Sequence, residues 1–476
     1  MDLYKNDDCI AFDYNFPIYN WFFPFNYKKV DENIINDTTA DKCKVFNFVG
    51  TDPAFRALYF HIPFCQDICS FCHFTREVCL DEDVYDKYAD AIVKEIKLKA
   101  QYQNVHKHPI SAIFFGGGTP SILKPKQILK IGQAIKEHFD LSQLLEFSYE
   151  MNAKTVTPDR VEALKEIGVT HGRMGVQTFS PKYRNLFKLS ATPDQIYRGV
   201  QLLNDNFKYV CIDMLYGMHG QSIEEFAKDM HHAISLGTSN IDVYPINNMV
   251  TQQALSNSYR KEGLVPTSGL GKFSMNVFLN EYMRNNGYLP HNGHGYVKAD
   301  KNLINNRPVV ADHYRFQYHE AVYGYKGHEI IGFGSGAFSS LDGFSLGNCN
   351  KPKKYIEDLL NNNTIDMAIG QYDLDLCNIK GIALHLPYHG EVQKSKIDMD
   401  LIPDEIRNNL TNAIEKRLIV ENEKEYRLTQ LGWYWYVNLL YHLLPKIEQD
   451  LLLKYIEKQS SQKERFVENW HISLNF

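Results

Sequence analysis

Cys65, Cys69 and Cys72 form a C-x3-C-x2-C motif directly after a β-like run at residues 57–62. A [4Fe–4S] cluster is normally held by four thiolates. Three cysteines in one short loop would leave one iron open to a small molecule, and an open coordination position is where a bound metal carries out chemistry. The spacing therefore predicts a catalytic iron–sulfur cluster.

Structural zinc is the alternative for these three thiols, with Cys79 or His73 as the fourth ligand. Zinc sites usually combine two paired C-x2-C halves. The sequence contains no second pair of this kind, which favours the cluster.

Further candidate site residues follow other predicted strands. Three consecutive glycines within 116–120 would expose backbone N–H and C=O groups that can hold a carboxylate or an amino group, although a plain turn is the simpler interpretation. Glu150, Gln177 and Asp213 each end an otherwise apolar strand. A polar group in such a position needs a ligand or a hydrogen-bond partner, and for Glu150 that partner could also be a helix cap.

The elements that position these residues alternate between short apolar runs and amphipathic helices. Six βα units in succession predict a parallel sheet with helices outside, curled into a partial (β/α)6 TIM-like barrel. The site then lies at the carboxyl ends of the strands, where the cysteines also fall. The predicted strands are 57–62, 110–115, 144–150, 172–177, 209–216 and 240–246.

The barrel is predicted to occupy residues 57–345, including a glycine-rich loop at 332–337. Residues 1–56 are interpreted as an N-terminal extension that packs on the barrel. Residues 346–476 are predicted to form a mostly helical C-terminal domain, with a winged-helix-like pattern of a helix near 406–418 and a hairpin at 417–429.

Composition narrows the class of protein. The chain has 476 residues, a net charge of −6 and scattered basic residues, so nucleic-acid binding is not expected. The sequence shows no secretory leader pattern and no apolar run of membrane-spanning length, so no membrane association is expected. Nine cysteines, an odd number, argue against a disulfide framework and for a reducing, cytoplasmic location.

Four ordered motifs resemble those of radical S-adenosylmethionine (SAM) enzymes, and more narrowly the oxygen-independent coproporphyrinogen III oxidase-like branch. They are H-I-P-F-C-x3-C-x-F-C at 61–72, G-G-G-T-P at 116–120, G-V-Q at 175–177 and D-M-L-Y-G at 213–217. The resemblance covers about residues 57–250 and extends to about 340. It implies a barrel of the radical SAM type.

The resemblance also implies cofactors and roles. Cys65, Cys69 and Cys72 would bind three irons of a [4Fe–4S] cluster, and SAM would bind the open iron. One electron would then cleave SAM to a 5′-deoxyadenosyl radical, which abstracts a substrate hydrogen. A flavodoxin or ferredoxin is the expected kind of electron donor.

The implied SAM contacts fall into four groups. Residues 117–119 would hold the methionine end, and Glu150, Gln177 and Asp213 would contact the methionine and ribose. Leu215 and Asn247 would lie near the adenine or a second ligand, and Tyr59 and Phe71 would flank the sulfonium and the cluster. The implied cofactor-binding residues are therefore Tyr59, Phe71, Gly117, Gly118, Thr119, Glu150, Gln177, Asp213, Leu215 and Asn247. Tyr59 and Glu150 are the candidate catalytic residues.

Departures from the oxidase pattern leave three functions open. Phe74 stands where the true oxidase usually carries another cysteine, and Lys188 stands near the place of an arginine. The first hypothesis is an enzyme that uses two SAM molecules, one as radical source and one as methyl or methylene donor, on a tetrapyrrole or other small molecule, or a peptide. The second is a porphyrinogen oxidative decarboxylase.

The third hypothesis is a haem-binding trafficking protein with little or no catalysis. Its candidate ligands are His291, His294 and the histidines within 313–319. The simpler interpretation is that these histidines lie in surface loops.

Overall fold

The computed structural model of the chain describes residues 12, 16, 23–28, 30, 42–50, 53–247, 253–309 and 316–462. The strands of the described residues, numbered in chain order, are β1 (Phe55–Ile62), β2 (Phe64–Cys65), β3 (Glu77–Val78), β4 (Ala112–Gly117), β5 (Glu146–Met151), β6 (His171–Gln177), β7 (Tyr209–Tyr216), β8 (Asn240–Pro245), β9 (Tyr288–Pro290), β10 (Gly295–Lys298), β11 (His328–Phe333), β12 (Phe338–Leu341), β13 (Phe344–Asn348), β14 (Met367–Gln371), β15 (Glu391–Gln393), β16 (Ile419–Glu421) and β17 (Glu425–Leu428).

The α-helices of the same residues are α1 (Glu82–Lys99), α2 (Gln103–His106), α3 (Pro125–His138), α4 (Pro158–Ile167), α5 (Pro181–Phe187), α6 (Pro193–Asn206), α7 (Ile223–Ser235), α8 (Gln253–Lys261), α9 (Gly269–Asn285), α10 (Lys301–Asn306), α11 (Tyr318–Val322), α12 (Pro352–Asn362), α13 (Asp375–Asn378), α14 (Leu386–His389), α15 (Asp404–Glu415), α16 (Gln430–Tyr434), α17 (Tyr436–His442) and α18 (Lys446–Gln462). Short 3₁₀ turns lie at Lys42–Phe48, Pro120–Ile122, Lys394–Lys396 and Met399–Leu401, and a π-helical turn lies at Gly381–His385.

The barrel sheet is parallel through its centre, with the strand order β11-β1-β4-β5-β6-β7-β8. Antiparallel strands extend it on both sides, β10 and β9 beyond β8, and β12, β13 and β14 beyond β11. Each of the six predicted strands is confirmed to within about two residues at its ends. The seventh parallel strand, β11, was not predicted, because no long amphipathic helix precedes it: α11 has five residues.

The two faces of the parallel strands pack against different parts of the protein. In β1, Leu58 and Phe60 face the helices and join the largest hydrophobic cluster. Ala57 and Tyr59 face the barrel interior, where they pack with Phe114 in a smaller cluster. Burial on both faces explains why these strands have apolar runs rather than strict alternation.

Local sequence signals set the helix ends. The side chain of Thr192 accepts from the backbone N–H of Gln195 at the start of α6, a cap worth about 1 kcal/mol. Pro158 is the first residue of α4, and Gly168 ends that helix with φ +101°, a conformation that favours glycine. These residues fix where α6 begins and where α4 begins and ends.

The C-terminal region contains the predicted helix and hairpin, observed as α15 followed by β16 and β17, with β15 completing a three-stranded sheet. Its hydrophobic cluster draws on residues 273–325 as well as 379–456. The domain boundary at 345/346 stays a prediction, since this core continues into the barrel extension.

The N-terminal extension packs at two places. Val45 and Phe46 join the barrel cluster, as expected. Phe16 packs instead on the C-terminal region, where its ring stacks on Tyr441 with a 4.6 Å centroid separation and its N–H donates to Asn438 Oδ1 at 3.1 Å. The prediction that the extension packs on the barrel was therefore incomplete.

None of the helices in the described part of the chain is long and apolar enough to cross a membrane.

Candidate active site

The three motif cysteines lie in the loop after β1. Cys65 is buried in β2, which pairs with β3, and Cys69 and Cys72 are partly buried. Burial, followed by the neighbouring Cys72 and Cys65, raises the pKa of the Cys69 thiol to about 12. Bound cations would be needed to hold these neighbouring groups as thiolates at neutral pH, which fits a cluster of iron ions.

The spacing of the sulfurs separates the two metal hypotheses. A tetrahedral zinc site with Zn–S bonds of about 2.3 Å would bring its sulfurs to about 3.8 Å from one another. Within the described residues, the groups whose ligand atoms all lie within 4.8 Å include none of these three cysteines, and neither His73 nor Cys79. The three sulfurs are therefore not all as close to one another as the ligands of a single zinc ion would be.

The glycine loop at the end of β4 lies directly against the cysteine loop. The N–H of Gly118 donates to Ile62 O at 2.8 Å, and a Cβ added at Gly118 would lie 3.0 Å from Cys65 Sγ. Gly117 has φ +112°, and a Cβ there would lie 2.8 Å from the His61 ring. The hydroxyl of Thr119 donates to Cys65 Sγ at 3.6 Å. Gly117 and Gly118 therefore occupy positions with no room for a side chain. Their backbone groups lie close to the cysteine loop.

Tyr59 lies on the interior face of β1, in a hydrogen-bonded chain. The Nε2 of His61 donates to Thr75 O at 2.8 Å, so Nδ1 accepts the 2.8 Å hydrogen bond from the Tyr59 hydroxyl. Burial lowers the pKa of His61 to about 4, so the ring is neutral. Burial also raises the pKa of Tyr59 well above its usual value, so the phenol stays protonated. Tyr59 is thus held in place by His61 as a neutral phenol, and its roles in catalysis and cofactor binding stay predictions.

Glu150 and Asp213 share a polar interior with Arg173. Burial, followed by the nearby Asp213 charge, raises the pKa of Glu150 to about 8, although Arg173 opposes the shift. Burial also raises the pKa of Asp213 to about 7 against the pull of Arg173, whose Nη2 lies 3.5 Å from Asp213 Oδ1. The same guanidinium forms a closer ion pair with Asp242.

Asp242 differs from its two neighbours in charge state. Burial alone would raise its pKa, but Arg173 and the facing histidines hold the pKa well below its usual range. The Asn240 amide donates to Asp242 Oδ1 at 2.6 Å, and the Tyr244 hydroxyl donates to Oδ2 at 3.2 Å. Asp242 is therefore a fixed anion paired with Arg173, while Glu150 and Asp213 can exchange protons near neutral pH.

Two of the histidines interpreted as surface residues lie inside the protein. His291 and His294 are 1% and 3% exposed. The Asn292 amide lies 3.1 Å from His319 Nδ1 and 3.4 Å from His291 Nε2. The surface-loop interpretation was wrong for His291 and His294, which are buried because β9 and β10 fold this segment back toward Asp242. His319 lies on α11 and is partly buried, and His313 lies outside the described residues.

The remaining predicted contacts lie around the same strand ends. Gln177 ends β6 at a bulge with φ +73°. Leu215 packs in a small cluster with Phe71 and Phe187, and the rings of Phe71 and Phe187 lie 5.0 Å apart. Asn247 follows β8 and is partly buried. The predicted site residues lie within, at the ends of or after strands β1 to β8, and their individual roles stay predictions.

Sequence reasoning missed Arg173, Asp242 and His61. A signal was present, because polar residues alternate along β6 and β8, as at His171 and Arg173 or Asn240 and Asp242. Alternation in a strand buried on both faces marks a polar interior face.

Comparisons with known proteins follow the same motifs. Residues 59–233 match the Radical SAM superfamily, so the predicted resemblance is confirmed. The chain is 26% identical over 296 residues to anaerobilin synthase of Escherichia coli O157:H7, covering 62% of each chain. It is 27% identical over 232 residues to heme chaperone HemW of Lactococcus lactis subsp. lactis, covering 48% of this chain and 59% of the relative.

The solved structure of coproporphyrinogen III oxidase from Escherichia coli has a similar fold. Its TM-score is 0.70 at 20% identity, and the match covers 88% of this chain and 99% of that one. The fold class predicted from the sequence is thereby confirmed. The chain spans about three-fifths of the length of anaerobilin synthase and of the Lactococcus lactis heme chaperone.

Proposed function

We propose that this chain, whose residues 59–233 form a radical SAM domain, holds a [4Fe–4S] cluster on Cys65, Cys69 and Cys72 and binds SAM at its open iron. When reduced, the cluster supplies the electron that cleaves SAM to a 5′-deoxyadenosyl radical, which takes a hydrogen from the substrate. A flavodoxin or ferredoxin is the proposed source of that electron. The chain's own residues bind and orient the reactants and exclude water.

The observation that carries this proposal is the contact between the glycine loop and the cysteine loop. Backbone groups of Gly117 and Gly118 and the Thr119 hydroxyl lie beside Cys65 Sγ, where an amino acid bound to the open iron would meet them. Glu150 lies at the same strand ends, with Oε2 only 3.1 Å from a Cβ added at Gly116. Its carboxylate can accept from the ammonium group of the methionine.

The interior beyond this loop supports a polar, acidic or nitrogen-rich substrate. Arg173 can hold a substrate carboxylate, although two acids compete for it. Aromatic rings of Tyr59, Phe114 and Tyr318 line the same interior, with Phe114 and Tyr318 stacked 4.5 Å apart. A tetrapyrrole combines flat aromatic surface with carboxylates, and related proteins are named for coproporphyrinogen and heme. We therefore favour a tetrapyrrole over another small molecule or a peptide.

We further propose that a second SAM molecule donates a methyl or methylene carbon. Phe74 occupies the position where the oxidase pattern has an additional cysteine, and its side chain is exposed. Asn247 and the loop at 332–337 are the proposed boundary of the second pocket. Oxidative decarboxylation of a porphyrinogen is the alternative reaction.

The test is a reaction with SAM that carries a deuterated methyl group and with candidate tetrapyrroles, under strictly anaerobic reduction. Deuterium in the product, together with both 5′-deoxyadenosine and S-adenosylhomocysteine, supports carbon transfer. A product that has lost carbon dioxide and carries no label supports decarboxylation instead. The Cys65→Ala/Cys69→Ala/Cys72→Ala variant is the control and should form neither nucleoside product.

Haem binding without turnover is a second candidate, favoured by the buried histidines His291 and His294 and the partly buried His319. Their interior position lets them reach a ligand inside the barrel. Titration with haemin should then give a Soret band that shifts in the His291→Gln variant. If the Soret band is unchanged in that variant and the unaltered chain cleaves SAM, the haem-binding proposal is contradicted and the enzyme proposal remains.

A further inference from the structure

Glu320 of α11 meets His385 and His389 of the C-terminal region, away from the cysteine loop. All three side chains are buried, and one ligand atom from each lies within 4.8 Å of the other two. His385 Nδ1 lies 3.8 Å from Glu320 Oε2, and His389 Nδ1 lies 3.8 Å from Glu320 Oε1. Each imidazole therefore faces a different oxygen of the same carboxylate.

The backbone brings the two histidines onto one side of a helical segment. His385 ends the π-helical turn Gly381–His385, and His389 ends α14 four residues later, with the two rings 4.4 Å apart. π-Helical turns occur frequently at functional sites. Within the described residues this is the one π-helical turn, and Pro387 contributes to it by removing a backbone donor.

The distances suit a shared ion better than a direct hydrogen bond. A hydrogen bond between a ring N–H and a carboxylate oxygen needs about 2.7–3.2 Å, and both distances here are 3.8 Å. Around a tetrahedral zinc ion with bonds of about 2.0–2.2 Å, neighbouring ligand atoms lie about 3.4 Å apart. Small rotations of these side chains would close that difference.

We propose that Glu320, His385 and His389 bind a divalent transition metal ion, and that this ion is zinc. Two imidazoles and one carboxylate are a common zinc ligand set, with water in the fourth position. Magnesium and calcium prefer sites made of oxygen ligands alone. Iron(II) also uses two histidines and a carboxylate, so the metal analysis must separate the two ions.

The position of Glu320 indicates what the ion does. Glu320 lies on α11, where the N–H of Tyr318 donates to Glu146 Oε2 at 2.8 Å and its ring stacks on Phe114 inside the barrel. The histidines belong to the C-terminal region. The ion would cross-link that region to α11 and so hold Tyr318 against the interior of the barrel.

The test measures metal content of the full-length Cys65→Ala/Cys69→Ala/Cys72→Ala variant, so that cluster iron does not contribute. After chelation and addition of zinc alone, inductively coupled plasma mass spectrometry should find about one zinc per chain. Glu320→Gln and His389→Gln should each lower zinc affinity by roughly 100-fold, since even outer-shell partners of a metal are worth roughly 10–100-fold. His442→Gln, a buried histidine of the same region, should keep the ion.

Cobalt substitution gives a readout that does not depend on the variants folding. The cysteine-free site should give visible d–d bands of a nitrogen and oxygen environment, without a thiolate charge-transfer band. Zinc removal should also lower the Tm of the chain but not that of the Glu320→Gln variant. Failure to take up zinc or cobalt, uptake unaffected by both variants, or iron bound in preference to zinc would overturn the proposal.

Discussion

The carboxyl groups of Glu150 and Asp213 are partly buried where the parallel strands bring like charges together. With pKa values of about 8 and 7, each is partly protonated at neutral pH when no cation is bound. A positive ligand nearby stabilises the ionised forms and draws the protons off. SAM carries such positive charge at its ammonium and sulfonium groups, so its binding should be coupled to proton release from these two residues.

The cysteine motif makes the most direct prediction. Anaerobically reconstituted chain should hold about four irons. Replacement of Cys65, Cys69 or Cys72 by Ala should abolish the brown chromophore, because three thiolates are the minimum that holds the cluster. Cys79→Ala, a thiol just beyond the motif, is the matched control and should keep its iron. Stoichiometric zinc in protein purified without oxygen would contradict the cluster.

Glu150→Gln should weaken SAM binding by about 1–3 kcal/mol at pH 8.5, because a buried ligand group loses its charged partner. In the unaltered chain the Kd of SAM should rise as pH falls from 8.5 to 6, since the raised pKa of about 8 means that protons compete with the cation below that pH. The slope should flatten in Glu150→Gln. Binding can be followed by isothermal titration in buffers of different pH.

Glu166→Gln serves as the control for that experiment, because Glu166 is exposed on α4. It should match the unaltered chain at every pH. An equally steep pH dependence in Glu150→Gln would mean that another group controls the binding of SAM.

Strand β4 and the loop that follows it are the elements that we propose to hold the cofactor by backbone geometry. The loop passes so close to β2 that a Cβ on Gly118 would lie 2.8 Å from Phe64 O. The strand pairing of β1 with β4 fixes this approach, since His61 faces Gly116 in register. The loop and the cysteines therefore form one unit even though about 50 residues separate them in sequence.

Gly118→Ala should disturb this unit by overpacking, at a cost of about 1–3 kcal/mol. The expected result is lower iron retention and weaker SAM binding, measured by iron analysis and titration. Gly347→Ala in β13 is the control, because a Cβ there meets nothing within 4 Å. Normal iron content and SAM affinity in Gly118→Ala would show that the loop can shift away from β2 without consequence.

The molecule as a whole is tied together by buried ion pairs that join distant parts of the chain. Arg56 of β1 and Glu329 of β11 form a 2.8 Å pair, and both side chains are almost fully buried. Glu329 also accepts from the N–H of Gly50 at 2.8 Å, and Arg56 donates to Asn104 O. This pair holds the seventh parallel strand and the N-terminal extension against the first strand.

Glu329→Ala should destabilise the chain by about 3–5 kcal/mol, because it leaves the Arg56 charge buried without compensation. The free energy of unfolding can be measured by denaturant titration of the cluster-free variant. Adding Arg56→Met should recover part of the loss, since the unpaired charge is then gone. A larger loss in the double variant would show that the other hydrogen bonds of Arg56 matter more than its charge.

Much of the barrel and the metal-binding motif could be predicted from the sequence. Six strands, the cysteine triad and the glycine loop are local patterns, in which side-chain period, caps and motif spacing act over a few residues. The cysteines follow the first strand, so their place at the carboxyl ends of the strands follows from the alternation of strands and helices.

The tertiary structure alone decided which distant polar groups share the interior. Arg173 meets Asp213 and Asp242 across 40 and 69 residues, and β11 joins β1 only after more than 260 residues. The buried histidines, and the meeting of Glu320 with His385 and His389, depend on how the C-terminal region folds back onto the barrel. The order and curvature of the sheet determine such contacts. No local sequence pattern specifies them, because packing against a distant element leaves no signal in neighbouring residues.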